Sequence, residues 1–158
     1  MMIYMDVCCL RRLTDDQSQS KNRAEAHAVE LIFGQVQVKF QQWISSAAVL
    51  DEVRRNPYPE RRVEMETLLP LASRVVPFDE AILHRAQRLV RYGYGVYDSL
   101  HLASAEAVMV DVLLSADARF VALAGRNVGA PRVSVRNPIA WIQEQRSLWP
   151  QTSYQKTS

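Results

Sequence analysis

Five short, largely apolar runs punctuate this chain, and their spacing restricts it to few folds. The runs are Met2–Met5, Trp43–Ser46, Arg74–Phe78, Asp111–Ser115 and Arg132–Val135. Each is too short for a stable helix and has the length of a buried strand. The stretches between them carry helical spacing instead. Ala24, Ala28, Leu31, Ile32 and Val36 recur at three and four residues, which predicts a helix over Arg23–Lys39 after a polar loop at Thr14–Asn22. Ala47–Arg55 reads as a helix closed by Asn56-Pro57-Tyr58-Pro59, because proline cannot continue one. Further helices are expected over Glu60–Leu69, from an Asp79 cap to about Val90, over Val96–Ala107, up to Ala124, and from Pro138 to Arg146. Strands that alternate with helices pair in parallel and are covered on both faces. The expected fold is α/β: three layers, α/β/α, around a central and mainly parallel five-stranded sheet. Ligands of such sheets sit beyond the carboxyl ends of the strands.

The chain has 158 residues, which suits one domain, expected over 1–146 with a polar tail at 147–158. Apolar residues make up 48% and charged residues 23%, so a disordered or fibrous chain is excluded. No apolar run approaches the roughly 20 residues of a membrane span. The start lacks a basic segment followed by an apolar one, so no signal peptide and a cytoplasmic location are expected. Cys8 and Cys9 are adjacent and have no third partner, which leaves no disulfide framework and no zinc pattern. Their ordinary fate is to pack as small hydrophobes. A net charge of +2 does not by itself announce a nucleic-acid binder. The basic residues are mostly Arg, whose planar fork fits phosphate.

The first run stops abruptly on Asp6. A carboxylate at the tip of a buried strand is costly unless it is paired or binds a cation. Asp117 stands at the end of the fourth run in the same way, within Leu113-Leu114-Ser115-Ala116-Asp117. Glu52 lies on the helix after the second run, and Asp98 in the first turn of another helix. First turns stand at the same rim of the sheet as strand ends. Taken singly, each acid has a local explanation. Asp98 complements a helix N-terminus, Asp117 caps a helix, and Glu52 is solvated as its neighbour Asp51 is. Gathered at one rim, they need a common cause. Two carboxylates about 5 Å apart repel by roughly 3 kcal/mol at an effective dielectric near 20. That is roughly two pKa units of pressure toward protonation. Such a cluster stays ionised around a cation, and its hard oxygen donors select Mg²⁺ or Mn²⁺. A divalent ion with open positions suits phosphodiester hydrolysis.

Four segments carry a family likeness: Ile3-Tyr4-Met5-Asp6-Val7-Cys8-Cys9-Leu10, Ile44–Val53, Tyr97–Ala105 and Val112–Phe120. In order and spacing they resemble the signature segments of the PIN domain, and within that group the VapC-type toxins. The resemblance runs from Met1 to about Arg146. It implies a metal-dependent ribonuclease that cuts RNA to leave a 5′-phosphate, with catalytic and metal-binding roles for Asp6, Glu52, Asp98 and Asp117. It implies that the Ser115 hydroxyl positions a water. It further implies a small antitoxin as partner and allows a homodimer. Many relatives carry a small polar residue where this chain has Cys8, a poorer hydrogen bonder. For the second acid the resemblance implies Glu52 rather than Asp51, on the six-residue gap after Ser46 and the match at Val49-Leu50-Asp51-Glu52-Val53.

Other features offer less. His27, His84 and His101 are scattered, although His101 sits one turn from Asp98 and faces either the crevice or the core. No Ser-elbow, Walker loop or dinucleotide glycine pattern occurs. Arg11-Arg12, Arg54-Arg55 and Arg61-Arg62 suit an RNA backbone or a solvated face. Tyr92, Tyr94 and Tyr97 suit base stacking or core packing. Asp15 and Asp16 could approach the rim. Two other functions remain open: a catalytically weakened RNA- or protein-binding module, and a phosphohydrolase acting on DNA or small phosphoesters.

Overall fold

The protein was analysed as a computed structural model in which residues 1–148 are described. Its sheet has five strands, all parallel, in the order β3-β2-β1-β4-β5. They are β1 (Met2–Met5), β2 (Gln42–Ser46), β3 (Arg74–Val76), β4 (Val112–Leu114) and β5 (Val135–Arg136). Eight α-helices are described: α1 (Val7–Arg12), α2 (Ser20–Gln37), α3 (Ala47–Arg54), α4 (Pro59–Leu68), α5 (Glu80–Arg91), α6 (Val96–Ala107), α7 (Ala118–Gly125) and α8 (Pro138–Leu148). The three-layer α/β/α fold is the one the alternation predicts.

The sheet is the core. Ile3, Tyr4 and Met5 are all fully buried, as expected of a central strand covered on both faces. Trp43 on β2 meets Phe33 of α2 edge to face, with ring centroids 5.3 Å apart. Two buried acids fasten the helical layers. Glu25 accepts Arg12 Nε at 3.2 Å and Asn137 Nδ2 at 2.9 Å. Glu106 takes Arg85 through two hydrogen bonds of 2.8 and 3.0 Å and accepts the backbone N–H of Arg132 at 3.0 Å.

The differences from expectation are local. β3 ends at Val76 because Pro77 has no N–H to give the ladder. β5 begins at Val135 rather than Arg132, whose backbone donor is spent on Glu106. α2 starts at Ser20, inside the stretch expected as loop. α1 was not anticipated: Asp6 accepts the N–H of Cys9 at 3.1 Å and so starts a helix at once after β1. α8 runs to Leu148, two residues into the expected tail, and the rest of that tail lies outside the described residues. No helix among the described residues is long and apolar enough to cross a membrane.

Candidate active site

The strand order decides where a ligand can sit. From β1 the chain winds outward to β2 and β3, and β4 and β5 are added on the other side. The order therefore reverses between β1 and β4, and the crevice beyond their carboxyl ends is the topological switch point. Asp6 follows β1 directly, and its N–H donates to Leu114 O, the last residue of β4, at 3.1 Å. Asp117 lies three residues beyond that same Leu114. Two acids far apart in sequence thus flank one strand junction.

Both also cap helices, and each does so through one oxygen. Asp6 Oδ1 accepts Cys9 N. Asp117 Oδ1 accepts Arg119 N at 2.9 Å and Phe120 N at 3.2 Å. The second oxygen of each makes no hydrogen bond among the described residues. For Asp6 this matters, because the residue is 1% exposed and Oδ2 is buried without a partner. An unsatisfied buried acceptor costs about 1–3 kcal/mol, and more when charged. The capping explanation of Asp6 accounts for one of its oxygens only.

Asp98 lies in the first turn of α6, as expected, with its carboxylate folded toward Gly95. A Cβ built on Gly95 would stand 3.4 Å from Asp98 Oδ2, an ordinary contact that places the carboxylate beside the N-cap of α6. Burial pushes the Asp98 carboxyl up to about 7, and the charges of Asp6, Asp117 and Glu52 push in the same direction. Burial likewise raises Asp6 to about 6, against the pull of His101 and of hydrogen bonds from the Ser115 hydroxyl and Cys9 N. The Cys8 thiol is driven well above its ordinary value by burial and by the charges of Asp6, Glu52 and Asp117. All four acids therefore share one electrostatic neighbourhood. Among the described residues, no three side chains of the metal-ligating types are closed into a ready ligand set.

Of the neighbours Asp51 and Glu52, it is Glu52 that turns toward this neighbourhood. Its Oε1 lies 2.8 Å from His101 Nε2. Asp51 instead accepts the Tyr97 hydroxyl at 2.5 Å and Arg55 Nε at 3.0 Å. Ser115 is fully buried and its Oγ accepts Asp117 N at 3.0 Å, which fixes the start of the segment that carries Asp117. Asp15 and Asp16 are engaged elsewhere, by Arg12 at 2.6 Å and by Ser18. The basic pairs divide: Arg12 joins Asp15 and Glu25, Arg55 holds Asp51, Arg61 stacks on Tyr58, and Arg62 donates to Asn56 O.

Behind Glu52 runs a buried polar chain that sequence reasoning missed. His101 Nδ1 lies 2.6 Å from the Tyr4 hydroxyl, which lies 2.6 Å from Ser46 Oγ. Ser46 Oγ in turn caps α3 by accepting Val49 N. One assignment satisfies every group: Ser46 donates to Tyr4, Tyr4 to Nδ1, and Nε2–H to Glu52. The available signals were faint. His101 is three residues past Asp98 and hence on the same helix face, and Tyr4 is the one hydroxyl within an apolar strand.

Comparison with known proteins agrees with this geometry. A family model described as the PIN domain matches residues 8–126. No curated protein matches the chain. Among solved structures, the chain resembles the crystal structure of VapBC2 from Rickettsia felis bound to a DNA fragment from their promoter. The match has a TM-score of 0.56 at 16% identity and covers 87% of this chain and 98% of the other. At that identity the likeness is one of fold.

Proposed function

The chain belongs to the PIN-domain family, and on that premise we propose that it is a metal-dependent endoribonuclease, the toxin of a toxin–antitoxin pair. The observation that carries the proposal is the buried Asp6 carboxylate, whose Oδ2 finds no hydrogen-bond partner, beside an Asp98 pushed up by burial and by the charges of Asp6, Asp117 and Glu52. An all-oxygen donor set of this kind fits Mg²⁺ or Mn²⁺. Asp6, Asp98 and Asp117 would hold the ion, with Glu52 completing the set. A divalent cation bound there lowers the pKa of the attacking water and offsets charge on the phosphate.

The protein's own groups do the rest. Glu52 is held by His101 through Oε1, which leaves Oε2 to orient a water for in-line attack. Ser115 takes a hydrogen bond from Asp117 N through Oγ and has its O–H to offer to the Asp6 carboxylate beside it or to that water. The water's oxygen bonds to phosphorus as the P–O3′ bond breaks, giving a 5′-phosphate and a 3′-hydroxyl. Arg11 and Arg54, which have no ion-pair partner among the described residues, suit backbone phosphates near the acids.

The partner in this reading is a small antitoxin protein, with the solved neighbour VapBC2 as the motivating case. A homodimer, one domain spanning 1–146 and a cytoplasmic site of action complete the proposal. A second reading, a binding module of the same fold with weakened catalysis, draws on Cys8 and on the absence of a closed ligand set among the described residues. Asp6→Asn separates the two, since it keeps the Oδ1 cap. Loss of Mn²⁺-stimulated RNA cleavage with an unchanged melting temperature or a higher one supports the nuclease. A wild-type protein that binds RNA and cuts neither RNA, DNA nor a small phosphoester overturns it.

A further inference from the structure

Away from the acids, a cavity of about 390 Å³ lies between the end of α5 and the loop after α7. Arg88 and Tyr92 form one wall, and Asn127, Gly129, Ala130 and Arg132 the other. The cleavage chemistry proposed above makes no use of it.

The loop is held in an unusual backbone conformation. Asn127, Gly129 and Ala130 have φ of 60°, 71° and 52°. For alanine that is a strained position, which persists only when its surroundings enforce it. The enforcement comes from Arg85, which donates to Gly129 O at 3.0 Å and Ala130 O at 3.2 Å and is itself anchored on buried Glu106. Tyr92 is 55% exposed yet braced. A Cβ on Gly129 would come within 3.2 Å of the Tyr92 ring, so the ring rests on bare backbone. A fixed, exposed aromatic face is a stacking platform for a base. Beside it, Arg88 and Arg132 have no carboxylate partner among the described residues, and the same is true of Arg91 in an adjoining cavity of about 280 Å³. Arg88 and Arg91 suit the negative end of α5. That does not account for Arg132, which arrives from a different segment.

We propose that this cavity takes one unpaired nucleotide of the RNA, its base stacked on Tyr92 and its phosphates held by Arg88 and Arg132. The identity of the strand as RNA rests on the ribonuclease reading. The position suits a strand that continues from the acids. Gly93 O accepts Arg119 Nη2 at 2.8 Å, two residues past Asp117. Asp98 is only six positions past Tyr92, at most about 21 Å of chain.

The test measures binding without cleavage: full-length protein in EDTA, with a fluorescent single-stranded RNA of about ten nucleotides followed by anisotropy. Tyr92→Ala is expected to weaken binding about tenfold or more, while Tyr92→Phe stays near wild type. Arg88→Ala and Arg132→Ala each reduce the slope of log K against log salt by about 0.7. Tyr58→Ala, an exposed tyrosine just before α4, changes nothing. Equal binding by Tyr92→Ala and wild type overturns the proposal, as does absence of RNA binding by wild type. Tighter Tyr92-dependent binding of DNA of the same sequence overturns RNA as the occupant. Loss of a protein partner by Tyr92→Ala with RNA binding intact assigns the cavity to a protein interface and also overturns it. If the chain binds at Tyr92 but never cuts, the ribonuclease reading fails alone. If it cuts in an Asp6-dependent way without using Tyr92, this proposal fails alone.

Discussion

His101 Nε2 stands 2.8 Å from Glu52 Oε1, which ties the third helix to the sixth across the carboxyl rim of the sheet. The same ring is gripped from behind by Tyr4, so its orientation is fixed before any ligand arrives. Removing the side chain frees Glu52 to rotate. His101→Ala is expected to reduce metal-stimulated RNA cleavage about 10–100-fold, the usual cost of losing an outer-shell partner. Tyr4→Phe should act in the same direction and more weakly. Initial rates across a Mn²⁺ titration check this. Unchanged rates and metal dependence in His101→Ala would show that Glu52 is positioned without it.

The two raised carboxyls give a pH dependence of defined sign. Asp6 titrates at about 6 and Asp98 at about 7 in the folded protein, against 3.8 for both when unperturbed. Between about pH 4 and pH 7 the native state therefore binds more protons than the unfolded state, and their contribution to stability falls as pH rises. For Asp6 the loss is on the order of 3 kcal/mol. Without divalent ions, Asp6→Asn and Asp98→Asn should melt above wild type at pH 7.5 and lose that part of the pH slope. Mn²⁺ should raise the melting temperature of wild type and not of either variant. Scanning calorimetry across pH checks both. Variants that melt below wild type at pH 7.5 would contradict the account.

Glu25 is fully buried between Arg12 and Asn137. Glu25→Ala leaves the partly buried Arg12 guanidinium to Asp15 alone and the Asn137 amide without its acceptor, which together cost about 3 kcal/mol. At 2–4 °C per kcal/mol for a chain of this size, the melting temperature should drop by about 10 °C. Thermal unfolding followed by circular dichroism measures it. A drop below about 3 °C would mean that Asp15 alone neutralises Arg12.

Both thiols are held protonated. Burial drives Cys8 and Cys9 well above their ordinary value, and Asp6 pushes each of them further. Since the thiolate is the reactive form, neither should label appreciably with a maleimide at pH 7.5 in the native protein, while both label after denaturation. Rapid native labelling of Cys8 would mean that its thiol is not shielded by burial as described.

Much of the fold was legible because local chemistry repeats along the chain. Proline ended α3 where expected, Asp79 capped α5 through Ile82 N, and α6 begins and ends at the predicted residues. α1 is not legible in the sequence because Asp6 reads as a buried charge, although the same side chain also caps a helix. The start of β5 is hidden from a local reading because Arg132 N bonds to Glu106, 26 residues away. In the site, Asp6 and Asp117 stand out as acids at strand ends, Asp98 as one in a first helical turn, and Glu52 as one about one and a half turns into the helix after β2. The supporting chain of Ser46, Tyr4 and His101 does not, since a Tyr in an apolar strand and a His on a helix read as ordinary packing.

The sequence by itself determined that the strands are parallel, that helices cover both faces, and which acids lie toward the carboxyl rim. Those features follow from periodicity, caps and breakers, each written within a few residues. Only the tertiary structure decided that β1 lies beside β4, that Glu52 rather than Asp51 meets His101, and that Tyr92 stands against Gly129. Periodicity tells each side chain whether to face inward, and carries no information on which distant segment it will meet there. That choice is settled by the packing of the whole chain.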